Sequence, residues 1–135
     1  MTTRTYRGSC HCGVVAFEAD IDLAAGTGRC NCSYCVKVRS WNVGLKPEAF
    51  RLTAGEGATT SYRFGTMAAE HVFCATCGVH AFTRGEIEEI GGAFVAVAVN
   101  CLDDATPQEL LSGPVHYADG RHNNWRETPD ETRHL

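Results

Sequence analysis

Seven of the eight cysteines in this 135-residue chain fall in three tight groups. They are Cys10-His11-Cys12-Gly13, the run Cys30-Asn31-Cys32-Ser33-Tyr34-Cys35, and Cys74-Ala75-Thr76-Cys77-Gly78. The last is a C-x-x-C-G knuckle. Two thiolates from one tight turn reach the same metal there, and the glycine takes the positive φ the turn needs. A lone C-x-x-C is also the pattern of a redox dithiol. Two further clusters in so short a chain point to metal binding. Thiolate ligands with no redox task point to zinc, with iron as the other candidate.

A structural zinc takes four ligands, so two pairs and a triplet divide without leaving a sulfur stranded. Cys10, Cys12, Cys74 and Cys77 make one closed tetrahedral site. It ties the start of the chain to its middle, and its metal affinity contributes directly to folding. Cys30, Cys32 and Cys35 then hold a second metal with three protein ligands and one exchangeable position, the arrangement of catalytic zinc. Other partitions stay open at this level, because the triplet could close by recruiting His71, His80 or Cys101. Core or surface packing is the commoner role for such histidines. Cys101, ending an apolar segment, suits a small buried hydrophobe.

Three thiolates around Zn²⁺ leave a unit of about −1, much less electrophilic than a zinc held by three imidazoles. Such a centre is poorly suited to making hydroxide. It suits a soft fourth ligand, an exogenous thiolate that stays nucleophilic once bound. Arg29, Lys37 and Arg39 flank the cluster and can offset the added negative charge. Tyr34, Lys37 or an ordered water are the candidate proton donors, and Trp41 and Phe73 are candidate pocket walls.

The elements that must position these groups are short. A chain of this length makes one domain, and 44% hydrophobic with 21% charged residues is ordinary for a globular protein. The formal net charge of −4 and the absence of a Lys/Arg run argue against a nucleic-acid partner. The longest apolar run, AFVAVAV at 93–99, is too short to span a bilayer and suits a buried strand. The opening MTTRTYRGSC holds no apolar stretch, so no secretory leader is expected. A cytoplasmic location follows, where thiols stay reduced and cysteines serve as ligands more often than as disulfides.

Strands are expected over 13–20, 40–46, 58–64, 71–74, 79–84 and 94–101, separated by Gly-rich turns. In 13–20, Val15, Phe17 and Ala19 alternate against Val14, Ala16 and Glu18. One short connector helix is signed by Thr106 as its cap, Pro107 in its first turn, Glu109 completing a capping box and Gly113 at its end. From residue 118 the chain is polar and aperiodic, which predicts a loosely attached tail over 118–135 beyond a metal-binding domain over 1–117. The expected fold is mainly β and mostly antiparallel.

With these residues in hand, the chain resembles the glutathione-dependent formaldehyde-activating family, whose domain is shared with centromere protein V. The matching pieces are GSCHCGVVAFEA (8–19), CNCSYCVK (30–37), HVFCATCGVHAF (71–82) and VAVNCLDD (97–104). Their order and spacing cover roughly residues 6–115. The resemblance implies a tent of twisted antiparallel β-sheets around two zinc ions. By motif, Cys10, Cys12, Cys74 and Cys77 are then the structural ligands, and Cys30, Cys32 and Cys35 the catalytic ones. It further implies a small-molecule thiol such as glutathione and an aldehyde as partners. The reaction is addition of sulfur to formaldehyde, giving S-hydroxymethylglutathione, a carbon–sulfur lyase reaction run in reverse. The family triplet often reads C-H-C-S-x-C-R, whereas here Asn31 stands for the His and Val36 for the Arg. Both differences remove polar or cationic groups beside the open position, so a thiol adduct is the firmer expectation and glutathione one instance of it.

Two other classes compete. A zinc-stabilised interaction module would have both metals structural, and a fourth protein ligand at the triplet would mark it. A thiol redox protein would use Cys74 and Cys77, but the βαβ surroundings of such motifs are missing.

Overall fold

The computed structural model describes residues 3–135. Two sheets carry the fold. In the first, β1 (Arg4–Ser9) pairs antiparallel with β2 (Ala16–Ile21), which pairs antiparallel with β5 (Phe50–Ala54). The alternation expected from Val15, Phe17 and Ala19 is realised, and with Ile21 these side chains are at most 1% exposed. Gly8 lies opposite Phe17, and any Cβ at that position would run into the Phe17 ring. The missing side chain lets the ring lie across the neighbouring strand.

The second sheet contains β3 (Thr27–Cys30), β4 (Asn42–Leu45), β6 (Thr59–Tyr62), β7 (Ala69–Cys74), β8 (His80–Ile87), β9 (Gly92–Ala98) and β10 (Val115–Ala118). Its spatial order is β10-β3-β4-β9-β8-β7-β6. All pairings are antiparallel except β10 with β3, which is parallel and sets Ala118 beside Cys30. Side chains from both sheets meet in one core. Phe50 links them, with its ring 5.5 Å from Phe17 and 4.6 Å from Phe82. Within the run 93–99, Val95, Val97, Ala98 and Val99 are buried while Ala93 is exposed, so β9 has one inward face. Among the described residues, no helix is long and apolar enough to cross a membrane.

Among the described residues there are two α-helical segments. In α2 (Pro107–Leu110) the expected capping box is present: Thr106 Oγ1 accepts from the Glu109 amide, and Glu109 Oε1 accepts from the Thr106 amide. Glu109 also accepts from Tyr6 at 2.6 Å and Arg4 at 3.0 Å, tying α2 to β1. After β3 ends at Cys30, α1 (Ser33–Val38) begins beyond two intervening residues, a helix not among the expected elements. Its Ncap is Cys32, whose Sγ accepts from the Cys35 amide at 3.3 Å. A thiolate here does what a serine or aspartate does at other helix starts. Arg39, in the left-handed region at φ 51°, ends the helix.

Residues beyond 118, read from the sequence as a polar tail, make specific contacts. Asp119 N bonds Glu127 O, Asn124 N bonds Asp119 O, and Leu135 is 7% exposed. Polar and backbone groups make this attachment, so hydropathy does not register it.

Candidate metal centres

The four sulfurs of Cys10, Cys12, Cys74 and Cys77 lie within 4.8 Å of one another. Cys10 and Cys12 come from the β1–β2 connection. Cys74 ends β7, and Cys77 sits in the turn to β8. Gly13 and Gly78 follow at φ 82° and 78°, the backbone state each turn requires. The Cys10–Cys12 and Cys12–Cys74 sulfurs are 3.6 Å apart. Four sulfurs tetrahedrally placed at about 2.3 Å from a zinc ion would be about 3.8 Å apart, so the donor set fits that ion. Backbone amides point at the sulfurs: Val15 to Cys10, and Thr76 and Cys77 to Cys74. Amides of Cys12 and Val79 draw the Cys77 thiol down to about 6, and the Cys77 amide lowers Cys74. Donors aimed at sulfur favour the thiolate, the form a metal takes.

Cys30, Cys32 and Cys35 form a second group, again with all three sulfurs within 4.8 Å. Cys30 ends β3, Cys32 caps α1 and Cys35 lies in its first turn. The thiols of Cys30 and Cys35 donate towards Cys32, holding it well below the usual thiol range, with the Cys35 and Tyr34 amides adding to this. Cys35 is pushed far up by its bonds to Cys30 and Cys32, and Cys30 is raised by its bond to Cys32. One proton thus leaves readily, and a cation is needed to draw off the other two. All eight cysteines are free thiols.

Among the described residues the second group stops at three. His71 and His80 are engaged elsewhere. His71 Nδ1 and His80 Nε2 each lie 2.9 Å from Thr83 Oγ1, so one hydroxyl bridges a buried and a half-buried imidazole. Cys101 Sγ lies 3.6 Å from the His80 carbonyl, and burial raises its thiol to about 11. Tyr34 stacks on His71 with ring centroids 3.9 Å apart and planes 18° apart. It also lies 6.1 Å from both Tyr62 and Phe64. This stack fastens α1, which has no buried residue of its own, to β7. Burial, then the charges of Cys35 and Cys32, raise Tyr34 and keep its phenol protonated. Nothing in the spacing of Thr83, Tyr62 or Phe64 marks them as neighbours of the triplet.

A cleft of about 470 Å³ opens between Cys10, Ser40, Trp41, His80 and Cys101. Trp41 lines this cleft and Phe73 does not, but the triplet sulfurs are not on its wall, so it is not the pocket expected beside the triplet. The Arg29 guanidinium carbon sits 5.3 Å from the Trp41 ring centre, and Nη1 reaches the Ser40 carbonyl. Lys37 and Arg39 are exposed.

Asn31, between the first two triplet cysteines, is 8% exposed and saturated with partners. Its Nδ2 donates to Asp119 Oδ1 at 2.9 Å, and its Oδ1 accepts from the Arg121 amide at 3.0 Å. Its carbonyl accepts from Arg121 Nε at 3.1 Å, and its own amide bonds the Ala118 carbonyl at 3.3 Å. Asp119 is held low by Asn31 and by His122, whose Nδ1 lies 2.9 Å away.

Residues 5–117 match the family of the glutathione-dependent formaldehyde-activating enzyme. The crystal structure of a Rhodobacter sphaeroides protein is similar at 30% sequence identity and a TM-score of 0.67, over 81% of this chain and 98% of that one. The two cysteine groups, the mainly β fold around them and the extent of the match agree: the chain belongs to the glutathione-dependent formaldehyde-activating enzyme family.

Proposed function

We propose that this chain is a zinc-dependent carbon–sulfur lyase-type enzyme that forms or cleaves a thiol–aldehyde adduct of the S-hydroxymethylglutathione type. One observation carries this reading: three clustered sulfurs with no fourth ligand grouped with them among the described residues, and a separate group of four. Two zinc ions per chain follow, one structural at Cys10, Cys12, Cys74 and Cys77, one catalytic at Cys30, Cys32 and Cys35. A zinc ion on three thiolates offers an anionic centre with one exchangeable position, suited to an exogenous thiolate. In the net reaction the substrate sulfur bonds to the aldehyde carbon, the C=O π pair passes to oxygen, and the thiol proton ends there. No electron acceptor is needed.

The chain's own groups prepare that event. The amides of α1 point at Cys32 and favour its thiolate. Tyr34, kept protonated, brings a hydroxyl on the same helical turn and is available to the developing alkoxide. His71 and His80 are both lowered by burial, His80 to about 4, and so are neutral at pH 7. A neutral pair adds no cation that would compete for the incoming thiolate. Free thiols throughout suit a reducing compartment such as the cytoplasm.

Metal analysis of three variants tests the division of labour. Cys10→Ser and Cys77→Ser are expected to impair folding, because the closed site supplies folding free energy. Cys32→Ser is expected to stay folded while losing one zinc and its thiol binding. Equal unfolding by Cys32→Ser and Cys77→Ser would contradict the assignment.

A further inference from the structure

The chain beyond β10 is built onto the triplet. Because β10 lies parallel to β3, it delivers residue 119 directly past Cys30. Gly120 is buried there: a Cβ built on it would stand 2.5 Å from Cys30 Sγ and 2.6 Å from the Trp125 ring. Only a residue without a side chain passes so close to that sulfur. The next residue, Arg121, grips Asn31 with both its amide and its Nε. Gly120 and Arg121 lie beyond residues 5–117, the stretch that matches the family, while Cys30 and Asn31 lie within it.

We propose that Arg121 is the anion-recognition residue of the triplet site, binding the carboxylate of an incoming thiol; the inference rests on the open-centre reading above. Its Nε is anchored on the carbonyl between Cys30 and Cys32, while the side chain as a whole is exposed. Among the described residues, its two terminal nitrogens bond no other group. A guanidinium fixed at one edge presents the remaining donors as a planar fork, the geometry that takes a carboxylate with two parallel bonds. The nearby acid does not compete, because the Asp119 carboxylate is occupied by Asn31 and His122. Of the cations around the cluster, Arg29 is turned to Ser40 and Trp41, and Lys37 and Arg39 stand exposed on α1 and at its end. Arg121 alone among them is bonded to the cysteine loop itself. A thiol bearing a carboxylate therefore meets its second contact a short reach from the open position.

The test titrates zinc-loaded protein with 3-mercaptopropionate and with 2-mercaptoethanol by calorimetry, wild type beside Arg121→Gln and Arg121→Lys, with circular dichroism confirming that each is folded. Wild type is expected to prefer the carboxylate thiol. Arg121→Gln is expected to lose about fivefold in affinity for it, as befits one charged pair at an exposed site, and to bind the neutral thiol unchanged. Arg121→Lys, with charge but no fork, should recover part of the loss. Equal weakening for both thiols, or no change for either, overturns the role of Arg121. A wild-type protein that takes up neither thiol overturns the open-centre reading itself, and this inference with it.

Discussion

Thr83 Oγ1 can donate to only one of the two imidazoles that it bridges and must accept from the other; because it faces Nδ1 of His71 and Nε2 of His80, both rings carry the same tautomer. This has a measurable cost in acid. In the unfolded chain both histidines take up a proton near pH 6.5, about the value of a free imidazole. In the folded chain burial, then the His71 charge, holds His80 to about 4, and burial lowers His71 too. The unfolded state therefore binds more protons between those values. Stability is full above about pH 6.5 and falls as pH drops towards 4. His80→Asn keeps an amide for Thr83 and removes one titration, so urea midpoints measured from pH 7 to 4 should fall less steeply than in wild type. An equally steep decline would exclude His80 as a source. The cysteine partition was legible in the sequence because ligand chemistry is local and four-plus-three counts out. Thr83 was not, because a hydroxyl on one strand becomes a bridge only after β7 and β8 pair.

Elements with a period could be seen in advance, and those without one could not. The inward face of β2 and the capping box of α2 both follow from residues at fixed offsets. The strands β3 and β10 have four residues each, too few for alternation to show, and β1 and β5 were likewise not anticipated. Helix α1 has six residues and no buried face, so its helicity comes from a sulfur cap and one stacked tyrosine, not from an apolar stripe. The extension over 118–127 is held by an asparagine and backbone groups. Gly120→Ala probes it directly: the added methyl overlaps Cys30 Sγ and the Trp125 ring. Overpacking of this kind costs about 1–3 kcal/mol. After loading with zinc, the variant should surrender metal held at the triplet to a colorimetric chelator several-fold faster than wild type. Unchanged release would mean that the extension does not cover the triplet.

For the molecule as a whole, the four-cysteine group is a bolt between sheets. Cys10 and Cys12 leave the three-stranded sheet, while Cys74 and Cys77 belong to the seven-stranded one. The three-cysteine group joins only β3 to the helix that follows it. Chelation should therefore proceed in two phases, a first ion leaving with the far-ultraviolet spectrum intact and a second leaving with loss of β structure. Concurrent loss of both ions with unfolding would argue against separate roles. The parallel pairing of β10 with β3 also imposes an order in time. Asn31 waits for partners 88 and 90 residues further along. While the ribosome is still making those residues, the triplet cysteines are already outside and uncovered. A metal ion arriving then meets sulfurs bare on every side, and one arriving after Gly120 has settled over Cys30 meets them with that side taken. Loading of the nascent chain is thus expected to be faster than loading of the finished one, with the exchangeable position open in both.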